Sequence, residues 1–286
     1  MAKRIIAIFG KDIGYTLSPK MHNHAFKKLK LPFEYKIYDG QRTAEEIAGL
    51  ILNLDMRGAN ITIPFKKKVY RYFVRKHYKI DPLAERIGAI NTICNKNGHL
   101  IGYNTDAEGF MTALQQKLDP RDKSVVIIGA GGSAHAIAMA LADAKVKKIA
   151  VFNRTLGRAK DLCVHIANHH KNVVVEPFNL YVKHGKNRAF NMKELKPSFE
   201  NCHLLINATQ TAMDRLADEA IHILPRKSFV FDIVYDKETP LIKAAKRAGN
   251  CYMDGLEMLI HQGARAFSIW TGKKPPVQLM REALHA

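Results

Sequence analysis

The stretch Ser124-Val-Val-Ile-Ile-Gly129-Ala-Gly131-Gly132-Ser133-Ala134 decides the fold of the second half of the chain. An apolar run typical of a buried strand leads into a G-x-G-x-x-A pattern, and a helical pattern follows over 133–144. Such glycines permit a tight turn and let the backbone approach a pyrophosphate, to which the helix N-terminus offers N–H groups. We therefore predict a strand–turn–helix dinucleotide site, with a plain tight turn as the alternative. The predicted cofactor residues here are Gly129, Ala130, Gly131, Gly132 and Ser133.

The end of the next predicted strand indicates which dinucleotide is bound. An NAD site carries an acidic residue roughly 20 residues after the glycines, where it holds the ribose 2′-hydroxyl. Here the sequence is Asn153-Arg154-Thr155, with Arg158 one helical turn further on. A guanidinium can bind a 2′-phosphate, which a carboxylate would repel. The pattern therefore favours NADP over NAD, and two solvated arginines at a helix start are the alternative.

Strand and helix patterns alternate on both sides of this stretch. In the second half, strands are predicted at 124–128, 148–152, 173–175, 204–207 and 229–234, with helices at 156–169, 240–249, 255–271 and 277–285. In the first half, strands are predicted at 5–9, 33–38 and 58–64. This alternation is typical of α/β folds with parallel sheets. We predict two α/β domains, with the C-terminal helices packing back on the first.

Local signals set several boundaries. Ser18-Pro19 predicts a helix through Leu29 with Ser18 as N-cap, and Thr43 with Glu46 predicts a capping box. Asn97-Gly98 predicts a hairpin turn. A predicted helix over 106–118 leads to 119–122, the best candidate for a boundary segment.

The first half also contains polar side chains that a purely structural domain does not need. They follow or lie on predicted strands and loops, and they are Thr16, Ser18, Asn60, Thr62, Lys66, Asn91, Asn104, Thr105 and Asp106. Neutral hydrogen-bonding groups with one Lys and one Asp suit a small polyhydroxylated acid, since Lys can donate a proton and Asp can hold it in place. Ser18 and Asp106 have an alternative interpretation as helix N-caps only.

Composition narrows the class of protein. The 286 residues include 45 Lys and Arg against 26 Asp and Glu, a formal charge of +19 that favours anionic partners. The four cysteines have no CxxC spacing, which argues against a zinc ribbon or a disulfide framework and indicates reduced thiols in a cytoplasm. No apolar run reaches the ~20 residues of a membrane span. Isolated histidine pairs lack matching ligands, so we expect no metal.

The ordered motifs of the chain closely resemble the shikimate dehydrogenase family. They are Ser18-Pro19, Asn60-Ile-Thr62-Ile-Pro64-Phe-Lys66, Ala89-Ile-Asn91-Thr92, Asn104-Thr105-Asp106, Gly129-Ala-Gly-Gly132, Asn153-Arg154-Thr155, Ile206-Asn207-Ala208-Thr209, Asp232 to Tyr235 and Gly255-Leu-Glu-Met258 through Gln262. The resemblance covers essentially the whole chain and both halves. It implies NADPH-dependent reduction of 3-dehydroshikimate to shikimate, in chorismate and aromatic amino acid biosynthesis.

The resemblance also implies a domain plan and residue roles. A substrate-binding α/β domain would comprise 1–105, completed by about 255–286, and a Rossmann-type NADP-binding domain would comprise 106–254. Lys66 and Asp106 would form the catalytic pair. Substrate would be held by Thr16, Ser18, Asn60, Thr62, Lys66, Asn91, Asp106, Tyr235 and Gln262. The cofactor would contact the glycine turn, the Asn153-Arg154-Thr155 stretch with Arg158, and Ala208, Thr209, Ile233, Gly255 and Met258.

The sequence departs from the family pattern at three places. Thr16 replaces a serine, Gln210-Thr211-Ala212 replaces a small Ser/Gly loop, and His135 replaces a basic residue. The segment 181–191 matches nothing in the pattern.

Other functions remain open at this point. The nearest is a quinate/shikimate dehydrogenase with broader substrate or NAD use. A different class is a nucleic-acid-binding protein, suggested by the basic stretch from Lys66 to Lys79 with its interleaved aromatic residues. We expect no specific nucleic-acid or membrane partner, and either a monomer or a homodimer.

Overall fold

A computed structural model describes residues 3–184, 187–210, 213 and 215–285 of the chain. Thr211 and Ala212, and residues 185–186 of the segment 181–191, lie outside the described residues. The chain divides into two compact units. The first unit comprises Met1–Phe110 and Met258–Ala286, and the second comprises Met111–Glu257. The first unit is therefore assembled from both ends of the sequence, and its C-terminal helices belong to it as predicted.

The first unit is built on a mixed sheet. Within the described residues its strands are β1 (Arg4–Gly10), β2 (Phe33–Asp39), β3 (Gly58–Ile61), β4 (Lys79–Ile80), β5 (Thr92–Lys96) and β6 (His99–Tyr103). They lie in the order β2-β1-β3-β5-β6-β4. β1 is parallel to β2 and β3, whereas β5 is antiparallel to both β3 and β6. Asn97 and Gly98 have positive φ between β5 and β6, which confirms the predicted hairpin turn.

Helices lie between and after these strands in the sequence. They are α1 (Ser18–Lys28), α2 (Ala44–Asn53), α3 (Lys66–Arg75), α4 (Pro82–Ile87) and α5 (Asp106–Leu114), the last of which contains the change of unit between Phe110 and Met111. The capping box of α2 is confirmed, because Thr43 accepts from the Glu46 N–H and Glu46 accepts from the Thr43 N–H. The predicted N-cap of α1 is wrong. Leu17 occupies that position without a side-chain cap, and Ser18 is already helical.

The second unit contains a doubly wound parallel sheet. Its strands in the described part are β7 (Ser124–Ile128), β8 (Lys148–Asn153), β9 (Val174–Asn179), β12 (Leu204–Asn207), β13 (Phe229–Asp232) and β14 (Cys251–Met253), in the order β14-β13-β12-β7-β8-β9. Every pairing between them is parallel. The strand order reverses between β7 and β12, and ligands of such sheets bind beyond the carboxyl ends of the strands at that point.

The remaining elements complete the second unit and the C-terminus. The helices are α6 (Gly132–Asp143), α7 (Leu156–His169), α8 (Met192–Glu200), α9 (Ala217–Ile223), α10 (Pro240–Ala248), α11 (Leu256–Thr271) and α12 (Val277–His285). The segment 181–191, which had no sequence assignment, contributes β10 (Tyr181–His184) and β11 (Asn187–Phe190), which pair antiparallel. No helix among the described residues is both long enough and apolar enough to cross a membrane.

Candidate active site

Lys66 and Asp106 form a direct, largely buried ion pair in the first unit. Lys66 opens α3 and Asp106 opens α5, so each is held at the first turn of a helix. The Lys66 Nζ lies 2.6 Å from the Asp106 Oδ2, and the two side chains are 13% and 6% exposed. The Coulomb attraction between two charges shielded from water to this degree is stronger than that between two charges on the surface. The arrangement places an ammonium and a carboxylate as one unit with a defined geometry.

Asp106 does not serve as a helix cap. Its carboxylate accepts from the Lys66 Nζ and from the Asn91 Nδ2, the latter at 2.7 Å. The Asn104 Oδ1 instead accepts from the Asp106 N–H at 3.0 Å, so Asn104 supplies the local cap. The capping interpretation of Asp106 is therefore wrong, and its carboxylate is committed to side-chain partners.

The Asn91 amide is fully engaged with protein groups. Its Nδ2 donates to the Thr105 Oγ1 as well as to Asp106, and its Oδ1 accepts from the Thr92 Oγ1 and the Thr105 N–H. Both amide hydrogens and both oxygen acceptor positions are thereby used. Asn91 is consequently placed to orient the Asp106 carboxylate.

Asn60 joins the same network through Thr92. The Asn60 Nδ2 donates to the Thr92 Oγ1 at 3.0 Å and to the Asn91 backbone oxygen at 3.3 Å. The Asn60 Oδ1 accepts from the Tyr35 hydroxyl at 2.7 Å. A continuous hydrogen-bonded path thus links Tyr35 on β2 with the Lys66–Asp106 pair.

Gln262, on α11, reaches this network through Thr105. The Thr105 hydroxyl lies 3.4 Å from the Gln262 Oε1, while the Gln262 Nε2 donates to the Leu259 oxygen. Close packing holds the contact, because a Cβ added at Gly109 would come within 2.7 Å of the Gln262 backbone nitrogen. The structure therefore brings together Asn60, Lys66, Asn91, Asp106 and Gln262.

The other predicted substrate residues are placed differently. The Thr16 hydroxyl donates to the Ser18 hydroxyl at 3.2 Å and accepts from the Ser18 N–H, so these two form a pair of their own at the start of α1. Thr62 follows β3, and its N–H continues the pairing with β1 by donating to the Phe9 oxygen. These hydrogen bonds of Thr16, Ser18 and Thr62 lie outside the Asn60–Asp106 network. Tyr235 belongs to the second unit.

The glycine turn of the second unit has the geometry of a phosphate site. Gly129 has a φ of +117°, and a Cβ there would lie 2.8 Å from the Thr209 Cγ2. Gly131 is the N-cap of α6, and no side chain caps this helix. A Cβ added at Gly131 would meet nothing within 4 Å, so this side of the turn is open. The first-turn N–H groups of α6 therefore fit a pyrophosphate.

A buried network fixes the loops beside that turn. The Asp232 carboxylate, at 0% exposure, accepts from Asn207 Nδ2, Thr239 Oγ1 and the Val234 N–H. Asn207 in turn accepts from the N–H and hydroxyl of Thr209. These bonds hold the residues after β12 and β13, including Ala208, at the switch point.

Ile233 and Gly255 pack closely at the same end of this sheet. A Cβ on Gly255 would lie 2.1 Å from the Ile233 oxygen, so these two backbones require a glycine at their contact. Met258, the last of the predicted cofactor residues, belongs to the first unit and is 7% exposed.

Arg154 and Arg158 follow β8 on the exposed surface. Neither guanidinium forms an ion pair with any residue that the structure describes, and Asn153 donates to the Thr155 oxygen at 2.8 Å. Two unpaired cations at this position leave their donors available to an anion, which fits the 2′-phosphate of NADP.

Two of the aromatic rings interleaved with the basic residues of α3 are buried. Tyr72 is 8% exposed and Phe73 is fully buried, so both belong to the core.

The cysteines form no disulfide. Burial raises the pKa of the Cys163 and Cys202 thiols to about 12, which keeps them protonated and unreactive. Among the described residues there is no cluster of His, Cys, Asp and Glu that could hold a metal.

The sequence analysis assigned no functional role to three polar residues of the network. Thr92 and Thr105 lie inside motifs that were quoted for their neighbours, so their adjacency to Asn91 and Asp106 was the available signal. No sequence signal pointed to Tyr35, because its contact with Asn60 spans 25 positions of the chain.

An all-parallel sheet in this strand order, with a glycine turn at its switch point, defines the class of dinucleotide-dependent α/β enzymes. Comparison with known proteins makes the assignment specific. Residues 8–93 match the shikimate dehydrogenase substrate binding domain, 112–240 the shikimate / quinate 5-dehydrogenase family, and 255–285 the shikimate 5'-dehydrogenase C-terminal domain. The chain belongs to the shikimate dehydrogenase family.

Individual relatives agree along the full length. The shikimate dehydrogenase (NADP(+)) of Geobacillus sp. (strain WCH70) is 34% identical to this chain. The match covers 98% of this chain and 97% of the Geobacillus protein. The Listeria monocytogenes shikimate 5-dehydrogenase, solved with shikimate and NAD, is 31% identical with a TM-score of 0.82. The match covers 99% of this chain and 96% of the Listeria chain. The Thermus thermophilus enzyme, solved with NADP(H) and shikimate, is 31% identical with a TM-score of 0.77. The match covers 99% of this chain and 98% of the Thermus chain.

Proposed function

We propose that this protein is an NADP-dependent shikimate dehydrogenase, which interconverts 3-dehydroshikimate and shikimate. The observation that carries the proposal is the buried Lys66–Asp106 pair, 2.6 Å apart, inside a network of neutral amides and hydroxyls. Membership of the shikimate dehydrogenase family supports the reaction, and the name of the Geobacillus relative supports the cofactor.

The first unit would bind the substrate. Residues 1–105 and about 255–286 form the substrate domain of this proposal, and 106–254 form the cofactor domain. Thr16, Ser18, Asn60, Thr62, Lys66, Asn91, Asp106, Tyr235 and Gln262 are the proposed substrate residues. The Thr16–Ser18 hydroxyl pair suits a carboxylate, since neutral donors can bind it directly. Asn91, whose amide is occupied by protein groups, would act by orienting Asp106.

Lys66 would handle the proton of the reaction. Reduction of the ketone leaves negative charge on its oxygen, and the Lys66 ammonium donates a proton to that oxygen. In the reverse direction the Lys66 amine accepts the proton of the alcohol. Asp106 holds the ammonium in place and can accept a hydrogen bond from a neighbouring substrate hydroxyl.

The second unit would bind NADP(H), which supplies or accepts the hydride when bound. The residues proposed to hold it are Gly129, Ala130, Gly131, Gly132, Ser133, Asn153, Arg154, Thr155, Arg158, Ala208, Thr209, Ile233, Gly255 and Met258. The open glycine turn and the uncapped start of α6 suit the pyrophosphate. The exposed guanidinium groups of Arg154 and Arg158 suit the 2′-phosphate. Reduced cysteines support a cytoplasmic location, which is part of the proposal.

The test is an assay of nicotinamide absorbance with four substrate and cofactor pairs. Purified protein is given shikimate or quinate with NADP or NAD, and the four kcat/KM values are compared. We expect the highest value for shikimate with NADP. Absence of turnover by folded protein with every pair would refute the proposal, whereas equal or better use of NAD or quinate would favour the broader quinate/shikimate enzyme.

A further inference from the structure

We propose that Tyr35 is a positioning residue that fixes the Asn60 amide for substrate binding; this inference rests on the proposed function. Tyr35 lies on β2 and is 2% exposed, and its hydroxyl donates to the Asn60 Oδ1 at 2.7 Å. It was absent from the set of site residues that the sequence indicated. Its importance follows from how few hydrogen-bonding positions Asn60 has left.

The surroundings of Asn60 determine which way its amide points. The Asn91 backbone oxygen, 3.3 Å away, can only accept, so the atom that faces it must be the Asn60 nitrogen. The same nitrogen donates to the Thr92 Oγ1. The Asn60 oxygen therefore faces Tyr35, and the Tyr35 hydroxyl must be the donor. One acceptor position on the Asn60 Oδ1 remains, and it suits a hydroxyl of the substrate.

Tyr35 is itself held from several sides. The Asn23 side chain donates to the Tyr35 backbone carbonyl oxygen at 3.0 Å and accepts from the Tyr35 backbone N–H at 2.8 Å. The His22 ring stacks on the Tyr35 ring with centroids 4.5 Å apart and planes 8° from parallel. The Trp270 ring lies at 6.2 Å. The hydroxyl therefore reaches Asn60 from a ring whose position is fixed by His22 and Asn23 of α1.

Loss of the Tyr35 hydroxyl should weaken binding of shikimate and leave binding of NADP unchanged. Without it, the Asn60 Oδ1 loses the donor that fixes it, and the acceptor offered to the substrate is less well defined. One hydrogen bond of this kind corresponds to about tenfold in affinity. Tyr35→Phe should therefore raise KM for shikimate about tenfold, with kcat changed less than about threefold and KM for NADP unchanged.

The experiment compares Tyr35→Phe with Tyr38→Phe, the same chemical change on the same strand at a ring that packs on Phe9. Tyr38→Phe should leave both KM values as in the wild type. A third variant, Asn60→Ala, tests the connection. If Tyr35 acts through Asn60, then adding Tyr35→Phe to Asn60→Ala should cause no further rise in KM for shikimate.

The outcomes separate this inference from the proposed function. An active wild type whose Tyr35→Phe variant keeps its KM for shikimate overturns the role of Tyr35 alone. So does a variant that loses kcat with both KM values unchanged, or one whose effect multiplies fully with that of Asn60→Ala, because those results indicate a general structural role. A wild type that does not oxidise shikimate refutes the proposed function and the role of Tyr35 with it.

Discussion

Replacement of Lys66 by methionine should affect activity and stability by separate and calculable amounts. The change removes the ammonium that lies 2.6 Å from the Asp106 Oδ2 and leaves a carboxylate whose side chain is 6% exposed. Removal of one partner from a buried pair costs about 3–5 kcal/mol, and proton transfer by a positioned side chain contributes ~10²–10⁴-fold. Asn91 still donates to Asp106, so we expect the lower end of the stability range, about 3 kcal/mol. We expect kcat to fall by about 10²–10⁴-fold, with a small change in KM.

The assay combines steady-state kinetics with urea denaturation. Lys68→Met is the matched control, because Lys68 is the exposed lysine two positions away, with its Nζ over the Phe65 ring. The double variant Lys66→Met/Asp106→Asn removes both charges, so it should regain stability relative to Lys66→Met without regaining activity. Its loss of kcat should also be smaller than the product of the two single losses. A Lys66→Met enzyme with near-native kcat would refute the reasoning.

Three further results are expected. Arg154→Ala should raise KM for NADP at least about tenfold and leave the weak NAD activity unchanged, since one charge-assisted hydrogen bond is worth about 1.5–3 kcal/mol; equal effects on both cofactors in steady-state kinetics would contradict this. Burial lowers the pKa of His22 from 6.5 to about 3. Between these two pH values the His22 ring is protonated in the unfolded chain and neutral in the folded protein. The unfolding free energy should then decrease by ~1.4 kcal/mol for each pH unit down towards pH 3, and this part of the slope should be missing in denaturation of His22→Phe. Gly58→Ala should unfold at markedly lower urea than wild type, because the added Cβ would lie 2.2 Å from the Ile93 oxygen; an unchanged midpoint would show that β3 and β5 can separate.

Local signals predicted the glycine turn of the second unit and the capping box of the first. The glycine turn lies where the G-x-G-x-x-A pattern placed it, because a tight turn, a strand and a helix are all encoded within a dozen neighbouring residues. The capping box at Thr43 is equally local. The predicted N-cap at Ser18 was wrong for a related reason: Ser18 has a suitable side chain, yet it is 3% exposed and helical, and its N–H donates to Thr16.

Long-range packing limited the prediction of the first unit. Tyr35 looks like an ordinary strand residue, and only the fold brings its hydroxyl to Asn60. In the second unit, β14 has three residues and α9 has seven, too few for a periodic pattern to emerge. The contacts of Asp106 were likewise beyond the sequence, since a helix-initial Asp is equally typical of a cap. Its partners are Lys66 of α3 and Asn91, the residue before β5.

The discontinuity of the first unit sets the order in which the two halves can mature during synthesis. Trp270 is fully buried, and its Nε1 donates to the Ile93 oxygen across 177 positions. A ribosome that has delivered residue 257 has supplied the whole contiguous second unit, but the aromatic core of the first still lacks Trp270 and Phe267. Since domains fold as units as they emerge, the nucleotide half is completed while the older N-terminal half still has an unfilled apolar face. That N-terminal half keeps this apolar surface uncovered until α11 emerges.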